Sequence, residues 1–139
     1  MNKAFVADAS VALSWCLSAQ GSDAADRLLD DILSGCAVTV PPLWAYETAN
    51  ALLILRRRKK LTADDYSDAR VLLDRLRLAV DSEGVSLAST RVADLAIQHE
   101  LTVYDAAYLE LAQRKDIALA TRDKGLQRAA QRLGVALLL

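Results

Sequence analysis

Short apolar runs separated by longer stretches of helical periodicity constrain this chain more than any other feature. Ala4 to Ala7, Ala37 to Val40 and Ile117 to Ala120 are nearly continuous in apolar character rather than alternating, as strands covered on both faces are. Leu78-Ala79-Val80 reads as a further, very short strand, and Val135 to Leu139 as a last one. Strands spaced by helices need crossover connections. The expected fold class is therefore α/β, a mainly parallel sheet with helices on both faces.

The intervening segments supply those helices. Ser10 is placed to cap a helix from about Val11. Gly21-Ser22-Asp23 restarts the chain, and Ala25, Leu28, Leu29 and Ile32 keep helical spacing up to Gly35. After Pro41-Pro42 a helix runs from about Leu43 to Lys60 and carries Glu47. Thr62-Ala63-Asp64-Asp65 resembles a capping box and opens a helix with Tyr66, Ala69, Leu72, Leu73 and Leu76 on one stripe. Ser86 to Glu100 is expected to be helical, with Ala88, Val92, Leu95 and Ala96 inward. The helix bearing Asp105 follows, and another runs from Asp123 to Leu133, closed by Gly134.

With 139 residues, 53% hydrophobic and 25% charged, the chain is expected to be one globular domain spanning 1–139. A net charge of −1 gives no whole-protein attraction to nucleic acid, so such binding needs a local patch. Cys16 and Cys36 form no CxxC and read as free structural thiols in a reducing compartment. Lys3 before an apolar start invites a leader-peptide reading, but Asp8, Ser10 and Ser14 break the apolar region. No run approaches the ~20 residues of a membrane span. The expectation is a cytoplasmic protein without a membrane partner.

Four acids stand at the places where such a fold binds ligands. Asp8 and Asp123 each follow a strand, and ligands of parallel sheets sit beyond the carboxyl ends of the strands. Asp105 lies in the first turn of its helix, and Glu47 sits among Leu43, Ala45, Ala49 and Leu52. Each aspartate alone is more often only a helix cap or a dipole partner. Glu47 is either at the edge of its apolar stripe or held by a cation. Gathered together, carboxylates about 4 Å apart repel by about 4 kcal/mol at an effective dielectric of 20. Such a group needs a cation or shared protons. All-oxygen ligation suits Mg²⁺ or Mn²⁺, and the lack of a His/Cys cluster argues against zinc.

The motifs in order, Val6-Ala7-Asp8-Ala9-Ser10, Tyr46-Glu47-Thr48-Ala49-Asn50-Ala51-Leu52, Tyr104-Asp105-Ala106-Ala107-Tyr108-Leu109-Glu110-Leu111-Ala112 and Ala120-Thr121-Arg122-Asp123, resemble a PIN-domain ribonuclease. Within that family the chain most resembles the VapC-type toxins of toxin–antitoxin pairs. The resemblance implies a three-layer α/β/α sandwich, usually dimeric, with a cognate antitoxin as partner and RNA as substrate. It implies Mg²⁺ or Mn²⁺ held by Asp8 and Asp105, with Asp123 and Glu47 contributing directly or through water. It makes Ser10 and Thr121 hydroxyls that orient carboxylates or water.

Other residues invite weaker readings. Arg56-Arg57-Arg58-Lys59-Lys60 is either a solvated helix end favoured by the dipole or a guide for the RNA backbone. Arg58 lies eleven residues after Glu47, about 16 Å along a helix axis, and Arg57 and Arg58 are the candidates. Asn50 is one turn past Glu47 and a candidate for substrate or metal water. His99 reads as a partly buried helix-end residue. Trp15, Trp44, Tyr46 and Tyr66 more often serve core or interface than base stacking. Two alternatives stand beside the endoribonuclease: an RNA-binding module that does not cut, and a Mg²⁺-dependent phosphohydrolase of small esters. The missing D-x-D and glycine loop count against the latter.

Overall fold

The computed structural model describes residues 4–17 and 21–139; Lys3, weighed above as part of a leader, lies outside them. The chain runs β1 (Phe5–Ala7), α1 (Ala9–Cys16), α2 (Asp23–Leu33), β2 (Val38–Val40), α3 (Leu43–Arg57), α4 (Ala63–Asp74) and β3 (Leu78–Val80). A 3₁₀ turn (Glu83–Leu87) and a π-turn (Ala88–Val92) lead into α5 (Ala93–His99), α6 (Val103–Lys115), β4 (Ala118–Ala120) and α7 (Lys124–Leu133). The four strands form one parallel sheet in the order β3-β2-β1-β4. The expected parallel α/β/α architecture is what the chain adopts.

Three-residue strands carry few ladder bonds, so side-chain burial fixes their register. Phe5 stands opposite Val38 on one side and Ala118 on the other, and every residue of β1 and β2 is buried. β3 lies at the edge and is exposed along its length. The helix that organises the interior is α6. It buries Ala106, Tyr108, Leu109, Glu110, Leu111 and Ala112, and it packs on β1, β4, α5 and α7. Cys16 and Cys36 form no disulfide, and burial pushes the Cys16 thiol up to about 11. Among the described residues no helix is long and apolar enough to cross a membrane.

Several local expectations are corrected. The segment 135–139 is not a strand: past Gly134, which takes a left-handed φ of 71°, it meets β4 at the single bridge Leu119–Leu137. The span Ser86 to Glu100 is not one α-helix but changes pitch from 3₁₀ through π to α. Val92, Leu95 and Ala96 face inward as expected, whereas Ala88 is exposed. A face extrapolated at constant pitch fails where the pitch changes. α3 stops at Arg57, and Lys59 already turns left-handed at φ 57°. α4 stops at Asp74, yet Leu76 beyond it is buried. Thr62 does cap α4, accepting from the Asp65 N–H. The cap of α1 is Asp8, not Ser10, because the helix begins at Ala9 and places Ser10 in its first turn.

Candidate active site

Asp8 is held through its carboxylate by three hydrogen bonds at the carboxyl end of β1. Its N–H continues the β1–β4 ladder by donating to the Ala120 carbonyl at 3.2 Å, which places it beside Thr121. One carboxylate oxygen accepts from the Val11 N–H at 3.2 Å, as a helix cap does, and from the Ser10 hydroxyl at 2.5 Å. The other accepts from the Thr121 hydroxyl. Those hydroxyls in turn accept from the loop after β4: Ser10 from the Arg122 N–H at 3.1 Å and Thr121 from the Asp123 N–H at 3.0 Å. Ser10 and Thr121 thus stitch two strand ends together through one carboxylate. Asp8 is only 5% exposed, and burial raises its pKa against the lowering effect of these bonds.

The other three acids arrive from separate elements. Asp123 caps α7, accepting from the Leu126 N–H at 2.8 Å, and is exposed. A carboxylate has about four lone-pair positions, so capping leaves acceptor capacity on both Asp8 and Asp123. Asp105 is in the first turn of α6, where Thr102 is the cap and accepts the Asp105 N–H at 3.1 Å. A helix N-terminus ordinarily lowers an acid's pKa. Here burial, then the charges of Asp123 and Asp8, raise it. Glu47 projects from α3 and accepts from the Tyr108 hydroxyl at 2.5 Å. Burial raises Glu47, the Tyr108 bond opposes the rise, and the charges of Asp105 and Asp8 add to it.

The four acids therefore gather at one end of the sheet, where the charge of Asp8 reaches Glu47 and Asp105, that of Asp105 reaches Glu47, and that of Asp123 reaches Asp105. None takes part in a salt bridge among the described residues. They do not close into a ready-made cage. Among the described residues no group of three or more His, Cys, Asp or Glu is gathered tightly enough to hold a metal ion by itself. An all-oxygen set of this kind fits Mg²⁺ or Mn²⁺ better than an ion needing a full protein cage. Mg²⁺ is commonly held by one or two carboxylates, with water and substrate phosphates completing its shell.

The remaining predicted residues fall outside this knot. Asn50 is exposed on α3, and its side chain makes no hydrogen bond among the described residues. Arg57 and Arg58 are exposed at the end of α3, with Arg58 already its C-cap. His99 is half-buried at the end of α5 with Nδ1 unpartnered, and Trp15 and Trp44 are core.

Sequence reasoning missed two features. Tyr108 is fully buried and donates to Glu47; its place one helical turn after Asp105 was the available signal. The second is an ion cluster. Arg114 Nη2 pairs with Asp81 at 2.7 Å, its Nε with Glu110 at 2.8 Å, and Nη1 with Glu83 at 3.3 Å. Gly84 permits the approach, since a Cβ there would stand 2.9 Å from an Asp81 oxygen. The i,i+4 spacing of Glu110 and Arg114, and an acid directly after β3, were the legible traces.

The profile of the PIN domain matches residues 5–132. No curated protein matches the chain. Among solved structures, PAE2754 from Pyrobaculum aerophilum superposes with a TM-score of 0.67 at 20% identity, covering 99% of this chain and 92% of that one. FitAcB from Neisseria gonorrhoeae gives 0.65 at 19% identity, with 97% and 96% covered. VapBC2 from Rickettsia felis, bound to a DNA fragment from their promoter, gives 0.65 at 13% identity, with 96% of each chain covered. At these identities the likeness is one of fold.

Proposed function

Since the chain belongs to the PIN domain family, we propose that it is a divalent-metal-dependent endoribonuclease, hydrolysing RNA phosphodiester bonds, with residues 1–139 acting as one domain. PIN domains are typically metal-dependent nucleases. The observation that carries the reading is the set of four carboxylates gathered at one sheet end, with no salt-bridging cation among the described residues. The proposed ion is Mg²⁺ or Mn²⁺. When bound, it would lower the pKa of a water for attack on phosphorus and stabilise the charge that develops.

The chain's own groups divide the remaining work. Asp8 and Asp105 are the main ligands, and Asp123 and Glu47 act directly or through water. Ser10 and Thr121 hold the Asp8 carboxylate at a fixed angle, so ligation requires no rearrangement of it. Glu47, anchored through Oε1 to Tyr108, keeps its second oxygen for the ion or its water. Asn50 has a side chain free to meet substrate. Arg57 and Arg58 guide the RNA backbone along α3.

The proposed setting is that of a toxin paired with a cognate antitoxin, assembled as a homodimer in the cytoplasm. Motif order, the family match and the fold shared with FitAcB and VapBC2 support the pairing with an antitoxin. The test is cleavage of a mixed structured-RNA pool by purified, antitoxin-free protein with Mg²⁺, Mn²⁺ or EDTA, with Asp8→Asn as the matched control. Metal-dependent cutting should fall by at least about a hundredfold in the variant. Equal traces of cutting in both would be contamination. No cutting of any RNA would leave a binding module as the better reading.

A further inference from the structure

The chain has one Phe, two Trp and four Tyr, and their placement is uneven. Phe5, Trp15, Trp44 and Tyr108 are buried, and Tyr66 lies half-buried with the Arg70 guanidinium 5.4 Å from its ring centre. Only Tyr46 and Tyr104 are strongly exposed, at 80% and 63%. Each directly precedes one of the facing acids, Tyr46 before Glu47 and Tyr104 before Asp105. One residue is about 100° of rotation on a helix, so each tyrosine occupies the face adjoining its acid. Both line the same groove of about 390 Å³, walled by Leu43, Val85, Val103 and Ala107.

The chemistry of that groove selects what enters it. Its accessible wall is almost wholly apolar, and the acids on its floor, Asp81 and Glu110, are engaged by Arg114. Among the described lining residues none offers a cation to a phosphate, and neither lining acid is free to attract a basic side chain. Two amphipathic rings beside an apolar wall favour a flat, uncharged π-face. We propose that this groove receives an unpaired nucleobase of the RNA next to the scissile phosphate, with Tyr46 and Tyr104 as its stacking surfaces. The inference rests on the nuclease reading, which places a phosphodiester at the acids. A base that is already unpaired enters the groove without the cost of leaving a stacked helix.

The test uses fluorescein-labelled single-stranded oligoribonucleotides of mixed sequence. Affinity is read by anisotropy in the non-cutting Asp8→Asn background, and KM and kcat are read in the wild-type background. Tyr46→Ala and Tyr104→Ala should each weaken binding and raise KM by about tenfold while kcat changes little. Phenylalanine at either position should restore both values, and Ile97→Ala, another exposed apolar side chain, should change neither. Abasic nucleotides beside the cut should abolish the dependence on tyrosine. Alanine variants with unchanged affinity and KM, on RNA that the wild type binds and cuts, would overturn the proposal and leave the nuclease reading intact. Weakened binding of a co-expressed antitoxin with unaltered RNA affinity would also overturn it, assigning the groove to a protein. A wild type that neither binds nor cuts RNA would remove the nuclease reading and this inference together.

Discussion

Two acid clusters flank α6, each at the carboxyl end of a strand. On one side Asp81, just after β3, and Glu110 are bound to Arg114 from the same helix. On the other, Asp8 after β1 faces Asp105, Glu47 and Asp123, with no cation among the described residues. Their electrostatics run in opposite directions. Hydrogen bonding to Arg114 holds Asp81 below the ordinary carboxylate range, whereas burial holds Asp8 above it and burial with the charges of neighbouring acids holds Glu47 and Asp105 above it. The first cluster is complete within the chain and acts in folding. The second is incomplete and invites a ligand. Position after a strand does not separate a functional acid from a structural one; the presence of an internal counter-charge does.

Breaking the complete cluster should have the largest effect. Arg114→Met keeps most of the aliphatic stem but strands two acids that are 3% and 1% exposed. Loss of one partner from a buried ion cluster should destabilise the fold by about 3 kcal/mol, read by urea denaturation. A loss below about 1 kcal/mol would mean that water already screens the cluster. Asp105→Asn, in the incomplete cluster, should leave the metal-free protein at least as stable as the wild type while abolishing cleavage.

A smaller loss is expected where the two helices meet at Glu47. Tyr108→Phe keeps the packing but removes the hydroxyl that anchors Glu47, and should cost about 1 kcal/mol of stability. Metal affinity should fall with it, although Tyr108 itself binds no ion. If affinity held, Glu47 would be positioned by α3 alone.

Acid and base limbs of the stability curve should sharpen the contrast. Asp81 has a folded pKa below its ordinary 3.8, so its contribution is present above that value and is lost as pH falls through the folded one. Asp8 and Asp105, ordinarily 3.8, and Glu47, ordinarily 4.5, are raised. Their contribution is present below those values and is lost as pH rises through the folded ones. Thermal melts of metal-free protein should show Arg114→Met flattening the acid limb and Asp105→Asn flattening the decline above it. The same limb flattened by both variants would show the clusters to be coupled.

The sequence made the central strands and the four acids legible for one physical reason. Residues covered on both faces must be apolar, so an acid that ends such a run stands out, as Asp8 does after Phe5–Ala7. β3 was visible as a triplet, but not that it would lie exposed at the edge. The tail 135–139 has the composition of a strand, yet partner geometry decides pairing, and β4 offers it one bridge. Cap chemistry left Asp8 and Ser10 interchangeable until the helix start was fixed. The Asp81–Glu83–Glu110–Arg114 cluster joins residues up to 33 apart in sequence, beyond the reach of local periodicity.

The smallest effect should come from the end of α3. Replacing Arg57 and Arg58 together by Ala should weaken RNA binding mildly and reduce its log–log salt slope by about 1.4, if each meets one phosphate of a single strand. An unchanged slope would make these arginines a solvated helix end.

The claim that the uncompensated cluster is a divalent-metal pocket is tested most directly by Mn²⁺ binding. Electron paramagnetic resonance would follow titration of the wild type and Asp105→Asn, each with and without a short oligoribonucleotide. Binding by the wild type that tightens with RNA and falls at least about tenfold in the variant is the predicted result. Equal binding by both proteins, or none by either even with RNA bound, would contradict it.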